Sequence, residues 1–137
     1  MAFHPYLFFS GTCRQAFTRY QEVFGGDLVL LPMSDMPAED PVPTEHADLI
    51  MHAALTFEGH LLMGSDDPSG DGGPMRGVAV NATVPDVGEA TRVFEALAEG
   101  GEVAMPMAET FWSPMFGTCV DRFGASWMVN VEAPAAP

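Results

Sequence analysis

The run Cys13-Arg14-Gln15-Ala16-Phe17-Thr18-Arg19-Tyr20-Gln21-Glu22-Val23-Phe24-Gly25-Gly26, leading into Leu28-Val29-Leu30-Leu31-Pro32-Met33, decides how the rest of the chain is parsed. Cys13, Ala16, Phe17, Tyr20, Val23 and Phe24 recur at helical spacing, with Arg14, Gln15, Arg19 and Glu22 between them. That pattern predicts an amphipathic helix with one buried stripe. Gly25-Gly26 supplies its stop, since glycine reaches the positive φ that ends a helix without steric cost. The apolar run after the glycines predicts a strand, and its proline marks the strand's end or a sheet edge. Upstream, residues 3–9 are aromatic and apolar and break at Ser10-Gly11-Thr12, which predicts a strand feeding the helix.

The same order returns in the second half. Residues 78–84 predict a strand, and Asp86 followed by Glu89 has the spacing of a capping box. Val87, Ala90, Val93, Phe94, Leu97 and Ala98 form the buried stripe of a second helix, stopped by Gly100-Gly101. Val103-Ala104-Met105-Pro106-Met107 then echoes Leu31-Pro32-Met33. Two more strands follow each unit. They are 49–57 and 60–65, joined by a tight Glu58-Gly59 turn, and 116–120 and 126–131, joined by Asp121-Arg122-Phe123-Gly124. The chain therefore predicts an α+β fold of two tandem βαβββ modules, about 3–66 and 77–132, within one domain over 1–137, with 133–137 a disordered tail. Asp66-Asp67-Pro68-Ser69-Gly70-Asp71-Gly72-Gly73-Pro74 reads as the loop between modules. An acidic loop over 34–47, carrying Pro37, Pro41 and Pro43, is either a lid over a ligand or a plain surface excursion.

Composition narrows the partners. Among 137 residues, 47% are hydrophobic and 18% charged, enough apolar surface for a folded core. The formal net charge of -14 repels phosphate backbones and anionic headgroups, so neither nucleic acid nor membrane is expected as a partner. Met1-Ala2-Phe3-His4-Pro5-Tyr6 lacks the basic start of a secretory signal, and the expected location is cytoplasmic. Cys13 and Cys119 sit in apolar segments and are expected as buried thiols rather than a disulfide.

Pro5-Tyr6-Leu7-Phe8-Phe9, Phe24-Gly25-Gly26, His52-Ala53-Ala54-Leu55, Leu62-Met63-Gly64-Ser65-Asp66, Thr110-Phe111-Trp112 and the segment from Asp121 through Trp127 to Asn130 together resemble the PhnB-like proteins. These form a branch of the vicinal oxygen chelate superfamily, with glyoxalase I, bleomycin-resistance proteins and extradiol dioxygenases. The resemblance implies two βαβββ modules whose mixed sheet curls around a concave pocket for a small molecule, in a homodimer. Many members hold a divalent metal there through His, Gln or Glu from the first and last strands of each module. PhnB-like proteins are often labelled methyltransferases of quinone synthesis, yet the chain has no glycine loop from strand to helix suited to a nucleotide-like methyl donor.

The matching metal positions carry the wrong chemistry. They fall on Met128 or its neighbours Trp127 and Val129, on Val78, Ala79 or Val80, and on a strand with no carboxylate before Asp66. Only His4 lies near a ligand position, so no metal and no cofactor are expected. Asp66, Asp67 and Asp71 lack the spacing of a calcium loop and read as solvated turn residues.

Strand alternation selects the pocket candidates. In 50–58, Met51, Ala53, Leu55 and Phe57 would face a helix, leaving His52, Ala54 and Thr56 on the other side. Tyr6 and Phe8 share a face with His4. Asn81 opposes Val78, Val80 and Ala82, and Met128 pairs with Asn130 opposite Trp127 and Val129. The expected ligand contacts are Tyr6, Phe8, His52, Asn81, Phe111, Trp112 and Met128, with His52 and Trp112 at one shared cavity. The leading expectation is a metal-free small-molecule-binding protein. The alternatives are a metal-dependent lyase, isomerase or dioxygenase using His4, His52 and Glu109, and a metal-free enzyme with His52 as general base.

Overall fold

The expected modules are both present. In the computed structural model, which describes residues 1–35 and 44–132, the first comprises β1 (Tyr6–Phe9), α1 (Cys13–Phe24), β2 (Asp27–Pro32), β3 (Ile50–Phe57) and β4 (His60–Asp66). The second comprises β5 (Val80–Val84), α2 (Val87–Ala98), β6 (Glu102–Ala108), β7 (Phe116–Val120) and β8 (Ser126–Val131). Among the described residues these strands form two four-stranded sheets, ordered β1-β4-β3-β2 and β5-β8-β7-β6. Each sheet is mixed, with its first and last strands parallel and the remaining pairs antiparallel. The chain divides into two compact units, Met1–Gly73 and Pro74–Pro137. The tail 133–137 and the centre of the acidic loop, 36–43, lie outside the described residues. Among the described residues no helix is long and apolar enough to cross a membrane.

The strand registers make the duplication quantitative. Asp27 faces Thr56 just after one glycine pair, and Glu102 faces Val120 just after the other. Tyr6 faces Met63 as Asn81 faces Met128. The second glycine of each pair is fixed by the same approach. A Cβ on Gly26 would lie 2.3 Å from the Thr56 carbonyl oxygen, and one on Gly101 would lie 2.1 Å from that of Val120. The proline echo does not share this register. Pro32 ends β2 opposite Ile50, whereas Pro106 falls between Met105 and Ala108, inside a stretch of β6 with register shifts.

Each helix buries most of its predicted stripe on its own sheet, the exception being Val87, which stays exposed in the first turn of α2. Phe17 sits edge-on to Phe9 and Tyr20, at centroid distances of 6.2 and 5.5 Å, and Phe24 stacks on Phe57 at 5.5 Å. In the second half Val93, Phe94 and Leu97 are buried with Trp127, Val129 and Val131. Cys13 and Cys119 are buried free thiols, as expected. Burial, reinforced by the Asp66 carboxylate, pushes the Cys13 thiol to about 12; burial and Asp121 push Cys119 to about 11.

Several local expectations needed correction. The first strand begins at Tyr6 rather than residue 3, and β5 begins at Val80 rather than 78; Phe3 and Val78 are largely exposed. A bulge leaves Met51 as the extra residue between His52, opposite Leu31, and Ile50, opposite Pro32. Ile50 is consequently fully buried where simple alternation would have placed Met51. The capping box is half made. Asp86 accepts from the Glu89 backbone N–H at 2.8 Å, but the Glu89 carboxylate pairs with Arg92, which holds it below the usual carboxylate range.

Asp66 is not a solvated turn residue. It is buried, accepting from the backbone N–H groups of Gly11 at 2.9 Å, Cys13 at 3.0 Å and Ile50 at 2.8 Å. One carboxylate thus caps α1 and ties it to the start of β3, while Thr12, the residue at the helix entry, makes no side-chain cap. Asp67 behaves as predicted, accepting from the Ser69 N–H and hydroxyl, which lower its pKa.

Candidate functional site

Because α1 covers one face of the first sheet, alternate residues point away from it. On β1, Leu7 and Phe9 are buried while Tyr6 and Phe8 are exposed. On β3, Ala53 and Leu55 are buried while His52 and Ala54 are only partly so. The face away from the helix therefore presents Tyr6, Phe8, Val29, Leu31, His52, Ala54 and Met63. Three of the expected contacts come together here. Tyr6 and Phe8 rings lie 5.2 Å apart, Tyr6 and His52 rings lie 5.8 Å apart, and Tyr6 Oη is 3.2 Å from His52 Nδ1. His52 is half-buried and bonded across the sheet, with aromatic and aliphatic neighbours on either side.

The corresponding face of the second sheet is furnished differently. Asn81 and Met128 are directly opposite each other, a register that alternation along either strand does not supply. Asn81 Nδ2 donates to Thr83 Oγ1 at 3.3 Å, and the Thr83 hydroxyl donates to Asn130 Oδ1 at 2.9 Å. Thr83 had not been singled out, although the β5 alternation and its register with Asn130 carry the signal. Phe111 and Trp112 occupy the connection from β6 to β7, held by a turn in which the Thr110 N–H donates to the Ser113 carbonyl at 3.0 Å. Phe111 is almost wholly exposed, and Trp112 packs edge-on against both Phe111 and Phe116.

A divalent metal of the superfamily's kind does not fit these residues. The side chains on the outward faces of the first and last strands are Tyr6, Phe8, Met63 and Ser65 in one half, and Asn81, Thr83, Met128 and Asn130 in the other. They include no imidazole and no carboxylate, which hard or borderline divalent ions require. Among the described residues no three His, Cys, Asp or Glu side chains gather closely enough to hold a metal ion. His4 and Glu109, the other candidates for a metal or acid–base role, are both exposed.

Two βαβββ modules in tandem, each with a helix on one face of a mixed sheet, define the fold of the glyoxalase, bleomycin-resistance and dioxygenase domains. A family model described as 3-demethylubiquinone-9 3-methyltransferase matches residues 1–130. Protein YjdN of Escherichia coli is 34% identical over 140 residues, covering 96% of this chain and 95% of its own. The crystal structure of PA1353 from Pseudomonas aeruginosa matches at TM-score 0.87 with 43% identity, covering 96% of this chain and 98% of its own. A Bacillus cereus structure described as a putative 3-demethylubiquinone-9 3-methyltransferase, PhnB protein, shares the fold at TM-score 0.76 with 23% identity, covering 96% and 99%. The chain belongs to the family that this family model describes, and it shares its fold with structures described as a PhnB protein and as a glyoxylase/bleomycin resistance protein/dioxygenase domain.

Proposed function

We propose that the chain is a metal-free small-molecule-binding protein that works as a homodimer in the cytoplasm. The observation that carries this reading is the cluster of Tyr6, Phe8 and His52, an aromatic surface with one hydrogen-bonding pair on the side of the sheet that α1 leaves uncovered. Ligand sites commonly combine a large apolar area with a few convergent polar groups. Asn81, Met128, Phe111 and Trp112 are the contacts proposed for the second module, where amides and an exposed indole offer hydrogen bonds and stacking. The outward donor set on the first and last strands supports binding without a metal. Free buried thiols suit a reducing compartment, and the acidic surface argues against nucleic acid and membrane partners. The end strands of each sheet support pairing with a second copy.

The test is a thermal-shift screen of small aromatic and heteroaromatic compounds, followed by affinities for wild type, His52→Ala and Trp112→Ala. Weakened binding with melting points within a few degrees of wild type is expected. Unchanged affinity together with strongly lowered melting points in both variants would make these residues structural and remove the site.

A further inference from the structure

Tyr6 and His52 lie on strands that are not neighbours, since β4 runs between β1 and β3. Their bond at 3.2 Å therefore reaches across Met63, which faces Tyr6 on one side and Ala54 on the other. A phenol is a better donor than an imidazole N–H, and an unprotonated imidazole nitrogen is a better acceptor than a phenol oxygen. The bond accordingly runs from the Tyr6 hydroxyl to Nδ1. A neutral ring whose Nδ1 accepts must carry its proton on Nε2. Among the described residues the His52 ring makes no further hydrogen bond, so that N–H is available to a visitor.

We propose that Tyr6 is a positioning residue that holds His52 as the Nε2–H tautomer, so that the first module selects flat aromatic ligands bearing a carbonyl acceptor. The proposal rests on the reading of this face as a ligand surface. Phe8, Leu31, Ala54 and Met63 provide apolar contact that is indifferent to polar groups. The Nε2–H provides the discrimination. A ligand with an acceptor gains a hydrogen bond, whereas one of the same outline without an acceptor covers the donor and leaves it unpaired. One such bond changes affinity by about tenfold.

Two measurements test this separately from the ligand surface itself. In the free protein, nitrogen NMR of the His52 ring in its neutral form should show a protonated Nε2 and a bare Nδ1, and Tyr6→Phe should convert this into a mixture of tautomers. A protonated Nδ1 in wild type, or no change in Tyr6→Phe, overturns the positioning role. Three flat probes then read the selectivity: coumarin with a carbonyl acceptor, indole with only an N–H donor, and naphthalene with neither. Wild type should bind coumarin about tenfold more tightly than the other two, and Tyr6→Phe should narrow that gap. Equal binding of the three by wild type overturns the ligand class, and an undiminished gap in Tyr6→Phe overturns the role of Tyr6. If none of the three binds while the tautomer is as proposed, it is the ligand-surface reading that fails.

Discussion

The two halves share a backbone plan but agree in few outward side chains. Counting from the registers Asp27–Thr56 and Glu102–Val120, Tyr6 corresponds to Asn81, Phe8 to Thr83, Ser65 to Asn130, His52 to Phe116 and Ala54 to Thr118. Only methionine recurs, as Met63 and Met128. The first half thus has an aromatic edge around a histidine, and the second an amide and hydroxyl edge around a phenylalanine. On the helix-facing sides the pairs are alike in kind: Leu7 with Ala82, Phe9 with Val84, Leu62 with Trp127. Burial constrains one face of each sheet to be apolar, while the other face is free to specialise.

The halves also pin their helices differently, and this difference gives the largest expected effect. Asp66 caps α1 from the far end of the module, whereas Asp86 caps α2 from the adjacent position. Asp66→Ala leaves the buried N–H groups of Cys13 and Ile50, and the part-buried one of Gly11, without their acceptor and should cost about 3 kcal/mol or more in urea unfolding. A loss under 1 kcal/mol would mean that water replaces the carboxylate and that α1 is held by packing alone.

The glycines should show the halves behaving alike. Gly26→Ala and Gly101→Ala each drive a Cβ into a backbone carbonyl, and each should destabilise by about 2 kcal/mol or more. A mild effect at one position and a severe one at the other would break the structural equivalence of the two turns.

The cysteines separate the halves by pH. Both thiol pKa values are raised in the folded chain above the ordinary 9.0, to about 12 for Cys13 and about 11 for Cys119. Below pH 9 both states keep the proton and stability is unaffected. Above it the unfolded chain releases the proton first, so stability falls as pH rises, by about 1.4 kcal/mol per unit per thiol, until the folded thiol also ionises. Unfolding measured from pH 8 to 11 should fall less steeply in Cys13→Ala than in wild type, and an identical slope would contradict the burial argument. The smallest effect belongs to the local cap, since Asp86→Ala should cost only about 1 kcal/mol.

These contrasts also mark what the sequence could disclose. The α2 cap was legible because Asp86 and Glu89 are three residues apart, and Glu58-Gly59 was legible as a two-residue turn with a glycine between two strand-like runs, where both residues indeed take positive φ. The cap on α1 was not, because Asp66 lies 53 residues from Cys13 and stands among turn-forming neighbours that suggest solvent. Alternation grouped Tyr6 with Phe8 and set His52 on the side of β3 away from the helix, as found, but it failed at Ile50, where a bulge shifts the count by one. The Tyr6–His52 bond was beyond reach for a further reason. It depends on β4 lying between β1 and β3, a strand order that periodicity along the chain does not encode.

Calorimetric titration of a screening hit into dialysed protein, with and without EDTA, for wild type and His52→Ala, tests most directly whether a ligand is held without metal on a face built around His52. The same affinity is expected in both buffers for wild type, and affinity at least about tenfold weaker in His52→Ala. Binding that disappears with EDTA and returns with a divalent metal, or that is untouched by His52→Ala, would contradict a metal-free site at His52.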